Sequence, residues 1–254
     1  MRPLRLLWWL ASVAVAAGFV GLWQVAADSK WLSPVFFAGP GQAWDRLVAG
    51  LVHGTLGIEL ADTVGRMIYG WAAASLLGIA LGSLIGISPR ARAYLAPMIE
   101  FVRPVPASAL VPVAIGFLGL SDEMVLAVVV FGGLWPMLLA TIHGFETIEP
   151  RLTDVSRALG FSRLQVILKI ALPSALPDIF AALRLSVTVS LVLTIIGEML
   201  ASRDGLGQWI LFAGRTFRPG DLFAGIILLG GVGFVSASLI AWLEQRLLNW
   251  RRPP

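Results

Sequence analysis

The chain has 254 residues, of which 57% are hydrophobic and only 13% are charged, and its formal net charge is +4. A soluble domain would carry about twice that share of charged residues, so the composition excludes a soluble core and indicates a membrane protein with about five to seven spanning helices. The absence of Cys excludes disulfides and thiol chemistry, two His are too few for a histidine-based metal centre, and no Lys/Arg run indicates nucleic-acid binding.

The first apolar run, residues 6–27, follows Arg2 and Arg5. A cleavable signal peptide has similar flanks, but its apolar region is shorter, which favours a retained helix. Residues 28–62 predict a connection outside the membrane that contains a short amphipathic helix at about 42–52. The sequence therefore divides into residues 1–61, an N-terminal transmembrane helix with its periplasmic connection, and residues 62–254, a five-helix core.

The second predicted span, residues 63–87, has a small residue at every fourth position. These residues are Gly70, Ala74, Gly78, Gly82 and Gly86. On a helix they form one narrow face that another helix can approach closely, so we interpret the stripe as scaffold. The third span, residues 94–118, contains four prolines and is expected to be kinked or broken, because proline removes a backbone donor and clashes with the preceding turn.

Three more spans are predicted at residues 124–145, 176–200 and 222–243, with an interfacial helix at about 208–217. Six spans place both termini on the same side of the membrane. The segments on that side, including the basic tail at residues 246–252, hold more Arg and Lys than those on the opposite side. By the positive-inside rule, both termini and the polar insert at about 146–175 are predicted to be cytoplasmic.

The polar insert predicts two short helices. Pro150 and Thr153 mark the start of the first helix and place Asp154 in its first turn, near the positive end of the helix dipole. One apolar face then carries Val155, Ala158 and Leu159. Gly160 ends this helix, and a second helix at 162–171 precedes Pro173 and Pro177, which mark the return into the membrane. Periodicity alone fits both a knob that docks in a protein groove and an amphipathic loop that lies on the bilayer.

The order of these residues resembles the coupling loop of bacterial ABC-importer permeases, where a transmembrane subunit docks onto its ATPase. Asp154 stands where the family has Glu, and Val155 and Ser156 stand where it has two alanines, while Gly160 and the Ile-x-Leu-Pro segment at 170–173 match. Motifs at 101–106, 183–185, 197–200 and 205–207 follow in the order found in permeases that import nitrate, taurine, aliphatic sulfonates and related small solutes. The resemblance extends over about residues 62–254.

The resemblance implies an all-α type I importer permease with about six transmembrane helices and a cytoplasmic coupling helix. It also implies a second permease copy, a cytoplasmic ATPase dimer that binds ATP and Mg²⁺, and a periplasmic or lipid-anchored solute-binding protein. The permease itself would carry no cofactor and no catalytic residue, and the sequence has no phosphate-binding loop motif. The implied ATPase-coupling residues are Asp154, Val155, Ser156, Ala158, Leu159, Gly160, Phe161, Ile170 and Pro173.

Charged residues inside the predicted spans are the candidates for the substrate pathway, because an ion in hydrocarbon requires a partner or a polar cavity. Arg103 and Arg184 either attract an anionic solute or form structural pairs, with Glu100 and with Asp178 or helix-end carbonyls, respectively. Glu198 belongs either to an outer gate or receptor-docking surface, or to a local salt bridge with Arg203, Arg215 or Arg218. His143 and Glu146 have metal-like spacing but no third ligand, which favours an ordinary pair at the membrane boundary.

Three functional classes compete. An ABC-importer permease requires the cytoplasmic knob, and the sequence predicts one. A membrane-embedded enzyme requires convergent catalytic groups at membrane depth, and a stand-alone transporter or channel is expected to show inverted internal repeats; neither signal is evident. We therefore expect a permease subunit, paired with an identical copy, that imports a small anion in the bacterial inner membrane.

Overall fold

The computed structural model describes residues 2–29 and 33–248, with the backbone alone for residues 2–6 and 9. Arg251 and Arg252 of the predicted basic tail lie outside the described residues. The helices are α1 (Arg2–Asp28), α2 (Pro40–His53), α3 (Leu56–Gly86), α4 (Pro89–Val102), α5 (Val111–Leu118), α6 (Asp122–Glu146), α7 (Pro150–Ala158), α8 (Arg163–Val166), α9 (Leu172–Ala201), α10 (Leu206–Arg215) and α11 (Pro219–Leu247). A 3₁₀ turn (Ala107–Leu110) precedes α5, and a π-helical turn (Ile167–Ala171) joins α8 to α9.

Five of these helices are long and apolar enough to cross a membrane, and a bent pair formed by α4 and the segment 107–118 passes the same test when its two halves are taken as one span. The two halves of the bent pair meet at 76°. Pro104 and Pro106 lie in the break, where the missing backbone donors leave no regular helix to continue. The prediction of a proline-broken third span among about six spans is therefore confirmed.

The core is formed by α3, α6 and α9, which share the most extensive helix contacts. The predicted small-residue face of α3 lies directly against α6. Gly70 opposes Val129, Gly78 opposes Met137, Gly82 opposes Thr141 and Gly86 opposes Phe145. A Cβ atom at Gly78 would lie 2.5 Å from the Cβ of Met137, so only glycine allows this approach. Close contact at small residues is how apolar helices gain packing energy inside a membrane, and the scaffold interpretation is confirmed.

The helix α3 begins seven residues before the predicted start of the second span, at Leu56 rather than at residue 63. Its first turns carry Glu59 and Asp62, which lower the hydropathy of the segment. Glu59 is nevertheless held by the protein, because its Oε2 accepts a hydrogen bond from the Gly205 backbone N–H. The predicted division at residues 61 and 62 falls within this helix, and the two-part organisation stays a prediction.

Candidate functional site

The first candidate site is a compact projection before the fifth span, which we call the α7–α8 knob (residues 150–171). The helix α7 ends in a Schellman motif: the Phe161 N–H donates to the Ser156 carbonyl at 3.0 Å and the Gly160 N–H to the Arg157 carbonyl at 3.1 Å. Gly160 has φ +65°, the left-handed conformation that the motif requires. The prediction that Gly160 ends the first helix is confirmed.

The next helix, α8, begins directly after this turn with a capping box. The Ser162 side chain accepts from the Gln165 N–H at 3.3 Å, and the Gln165 side chain accepts from the Ser162 N–H at 2.8 Å. Phe161 lies between the two motifs, and the Lys169 ammonium stands 5.1 Å from the centre of its ring. The turn at 159–162 is therefore fixed on both sides by backbone capping.

The predicted second helix at 162–171 is helical from Arg163 onward, but it does not end before the fifth span. The helix α8 passes through the π-helical turn, which contains Ile170, into α9 without a break. Pro173 lies in the first turn of α9 and has no N–H for the preceding turn. The π-helical turn accommodates the missing donor by shifting the hydrogen bonds one residue: the Leu172 N–H donates to the Ile167 carbonyl five residues earlier. The knob and the fifth span therefore form one continuous helical path from Arg163 to Ala201.

The surface of α7 is divided between one buried polar residue and an exposed apolar face. Ser156 is buried and its hydroxyl donates to the Thr153 carbonyl at 2.7 Å. Leu152, Val155 and Leu159 are 40%, 51% and 63% exposed, and Ala158 is exposed beside them. Three large apolar side chains within about two turns of helix form a small exposed patch of the kind that marks an interaction site.

The predicted position of Asp154 in the first turn is wrong, because α7 begins at Pro150. Asp154 instead forms an exposed ion pair with Arg157 at 3.3 Å. Next to α7 lies a cleft of about 430 Å³ that reaches the start of α4, with Ser88 and Arg90 on one wall and Arg157 and Phe161 on the other. The exposed carboxylate, the apolar face and the cleft together give the knob both charged and apolar groups for a partner.

The second candidate site contains the charges inside the spans, and the structure separates them. Arg184 on α9 pairs with Glu244 on α11 at 2.6 Å, so the predicted partner Asp178 is wrong. Sequence spacing missed Glu244 because it lies 60 residues away on the last span. For Arg103, neither a hydrogen bond nor an ion pair of the guanidinium joins it to Glu100 or to any other residue in the described part of the chain.

The third candidate site is a group of polar residues at the far end of α9, which we call the Glu198 network. Glu198 is fully buried and accepts from Thr63 Oγ1 at 2.9 Å, from Arg66 Nη1 at 2.9 Å and from the Gly207 N–H at 2.9 Å. Arg66 also bonds Asp122 at 2.9 Å, and Asp122 bonds Arg203 at 3.0 Å. The Asp122 carboxylate raises the pKa of the Arg203 guanidinium further above its usual value.

This network corrects the predicted partners of Glu198, since Arg66 takes the place of Arg203, Arg215 and Arg218. The network joins α3, α6 and α9 to the loop before α10, and it leaves no exposed carboxylate of Glu198 for a docking protein. Arg66 and Asp122 were missed from the sequence. Arg66 falls inside the predicted second span, and the rule that singled out Arg103 and Arg184 applies to it equally.

Glu146 pairs with Arg92 at 3.3 Å rather than with His143. Among residues 2–29 and 33–248, no group of three metal-ligating side chains occurs. The interpretation of His143 and Glu146 as an ordinary pair at the membrane boundary stays a prediction.

Comparison with known proteins identifies the family to which the chain belongs. The family model described as "Binding-protein-dependent transport system inner membrane component" matches residues 74–249. The putative aliphatic sulfonates transport permease protein SsuC of Bacillus subtilis (strain 168) is 29% identical over 96% of this chain and 88% of its own length. The taurine transport system permease protein TauC of Escherichia coli (strain K12) is 28% identical over 94% and 89%. The nitrate import permease protein NrtB of Leptolyngbya laminosa is 27% identical over 93% and 88%.

Among solved structures, an inward-facing form of the MetNI methionine ABC transporter superposes with a TM-score of 0.62, covering 73% of this chain and 94% of the matched one. The two sequences are 18% identical, so the similarity establishes the fold alone. That fold is the type I ABC-importer permease fold, as the resemblance in the sequence implies.

Proposed function

The chain belongs to the family of binding-protein-dependent transport system inner membrane components, and from this premise we propose that it is the permease subunit of an ATP-driven importer for a small anion. The relatives named above are permeases for aliphatic sulfonates, taurine and nitrate, which share an oxyanion group. In this proposal the permease carries no catalytic residue, and ATP and Mg²⁺ bind a partner ATPase.

The observation that carries the proposal is the exposed apolar face of α7 on a rigid knob. Leu152, Val155 and Leu159 remain exposed although the turn beside them is fixed by two capping motifs. A membrane-surface helix would also expose apolar groups, but it would need no rigid link to a span. We propose that a cytoplasmic ATPase dimer docks on residues 154–161, and that Ile170 and Pro173 hold the knob to α9.

The continuous helix from Arg163 to Ala201 gives this docking a mechanical consequence. A displacement of the knob moves the base of α9, and α9 packs against α6 and α3. ATP binding then drives alternating access through contacts that differ between two states of the ATPase, since a ligand shifts an equilibrium only by its differential affinity. Solute enters from a periplasmic or lipid-anchored binding protein on the opposite side.

The orientation belongs to the same proposal. The polar insert and both termini face the cytoplasm of a bacterial cell, and the spans lie among the lipids of the inner membrane. A second, identical permease copy completes the path. The strongly exposed Tyr94, Phe101 and Phe117 of the broken span face either that copy or lipid. The substrate-pathway roles of Arg184 and Glu198 stay predictions, and both residues already have counter-charges.

The proposal is tested by ATPase activity of the permease copurified with its candidate ATPase in nanodiscs, with and without a loaded solute-binding protein. Stimulation by the loaded receptor, lost in Asp154→Lys, is the expected result. The matched control is Asp45→Lys, which reverses an exposed acidic residue on α2.

A stand-alone secondary transporter or channel is the alternative. It predicts no copurifying ATPase and solute flux that persists in liposomes containing the permease alone. That outcome would overturn the importer proposal and the docking role of the knob together.

A further inference from the structure

A cavity of about 500 Å³ lies beside the break in the third span. Its walls come from the broken segment after α4, from the middle of α6 near Gly132 and Pro136, and from the middle of α9 near Thr188 and Val192. The volume falls in the range of pockets that bind small organic molecules. Irregular backbone at membrane depth is tolerated where it lines such a cavity.

Arg103 lines this cavity and is the uncompensated cation of the region. Arg66, Arg184 and Arg203 each contact a carboxylate, whereas the Arg103 guanidinium has no such partner in the part of the chain that the structure describes. Glu100 stands three residues away on the same helix and forms no ion pair with it. Arg103 is exposed at the break of the third span, where a cation at membrane depth needs a counter-charge, and none of the described residues forms an ion pair with it.

The Trp135 indole forms part of the same wall. Its Nε1 is buried and has no acceptor among the described residues, so the N–H is not on the cavity surface. The indole therefore contributes apolar wall rather than a donor for a bound ligand.

The hydroxyl of Ser108 adds a second donor besides the Arg103 guanidinium, while Thr188 adds none because its hydrogen already bonds the Arg184 carbonyl at 3.1 Å. The remaining wall is apolar and contains Val192, Leu193 and Ile196. A matching ligand therefore has one oxyanion head and a short aliphatic body.

We propose that this cavity is a solute-binding site for a small aliphatic oxyanion, with the head held by Arg103 and Ser108 and the body against α9. The inference rests on the proposed function for its place in transport, and it assigns solute recognition to Arg103 rather than to Arg184. Glu100 competes for the guanidinium from the adjoining smaller cavity, which both residues line.

The test uses the full-length permease in nanodiscs and two probes of matched size, propanesulfonate and the uncharged propanesulfonamide. Binding is followed through the indole N–H resonance of Trp135, assigned with Trp135→Phe, and through the shift in Tm. Wild type is expected to bind the sulfonate at least ten-fold more tightly than the sulfonamide, since charge-assisted hydrogen bonds form only to the anion.

Arg103→Gln is expected to weaken sulfonate binding at least ten-fold, whereas Trp135→Phe, followed by Tm, is expected to keep wild-type binding because it changes only apolar wall. Arg46→Gln and Trp44→Phe, two exposed positions on α2, are controls that keep wild-type binding. Glu100→Gln is expected to bind the sulfonate as tightly as wild type or more tightly, because a competitor is removed.

Equal affinity for the two probes, or unchanged binding in Arg103→Gln, overturns the site. Weakening in Glu100→Gln to the level of Arg103→Gln also overturns it, because both residues then act as one structural pair. ATP-driven uptake by the assembled importer separates the two proposals: uptake that survives Arg103→Gln removes the site and leaves the importer, whereas uptake that never depends on ATP removes the importer.

Discussion

The two ends of α9 differ in which side chains they bury: one end buries a paired carboxylate, and the other leaves apolar side chains exposed. At its C-terminal end, the Glu198 network pairs two arginines with two carboxylates and buries Glu198 completely. At its N-terminal end, the α7–α8 knob exposes Leu152, Val155 and Leu159 and leaves Asp154 paired only with its own helix. The charged groups of the Glu198 network all have partners within the chain. The knob has a fixed backbone turn, but its apolar face remains exposed.

This difference distinguishes residues that stabilise the fold from residues that are available to bind a partner. A group in the Glu198 network is expected to act on stability, because its removal leaves a buried charge. A group on the exposed face of the knob is expected to act on function without affecting stability. Arg66→Ala and Leu159→Ser test this division, whereas Gly78→Ala and Gly160→Ala test the helix core and the turn of the knob. The four substitutions are ordered by the expected loss of folding free energy.

Arg66→Ala has the largest expected effect. It leaves the Glu198 carboxylate, fully buried, without its cation, and breaking a buried pair in this way costs about 3–5 kcal/mol. The free energy of unfolding, measured by SDS titration in mixed micelles, is expected to fall by that amount.

Arg203→Ala is the matched control, because it removes the other arginine of the same network. Arg203 and Asp122 are 38% and 42% exposed, so its loss is expected to cost less than about 1 kcal/mol. Equal losses in the two variants would show that burial of Glu198 does not control the stability of this end.

Gly78→Ala tests the contact between α3 and α6. The new Cβ would lie 2.5 Å from Met137 Cβ and 3.1 Å from the Leu134 carbonyl, and such overpacking costs about 1–3 kcal/mol. Gly65→Ala makes the same change on the same helix where no atom lies within 4 Å, and helix propensity predicts a gain of up to about 1 kcal/mol. The same titration measures the free energy of unfolding of both variants. If both variants were stabilised or both destabilised, the close packing of α3 against α6 at Gly78 would be contradicted.

Gly160→Ala tests the turn of the knob. Space is open around Gly160, so the cost comes from the positive φ alone and is about 1–2 kcal/mol. Gly160→Asn is the control, since Asn tolerates the left-handed conformation better. Local opening, followed by hydrogen exchange at the Gly160 and Phe161 amides, is expected to rise in the Ala variant and less in the Asn variant. Equal exchange in both would argue against the capped turn.

The scaffold was predictable because it depends on local pattern. The glycine spacing of α3 and the prolines of the third span each follow from the requirements of one helix, and the structure confirms both. The partners of Glu198 and Arg184 were not predictable, since Arg66 and Glu244 lie 132 and 60 residues away and hydropathy does not encode which spans meet.

The continuous helix through Pro173 was missed for another reason. Proline is normally a stop signal, and only the preceding π-helical turn accommodates it.

Leu159→Ser is expected to have the smallest effect on stability and a large effect on function. Leu159 is 63% exposed, so its replacement changes the free energy of unfolding by no more than about 0.5 kcal/mol. If the ATPase docks on this face, receptor-stimulated ATPase activity falls at least ten-fold while the permease keeps its Tm. Val52→Ser removes an apolar side chain of equal exposure, 64%, from α2 and is expected to leave both quantities unchanged. Retained stimulation in Leu159→Ser would mean that α7 exposes its apolar face to lipid, and the contrast between the two ends of α9 would then be one of membrane placement rather than of partnership.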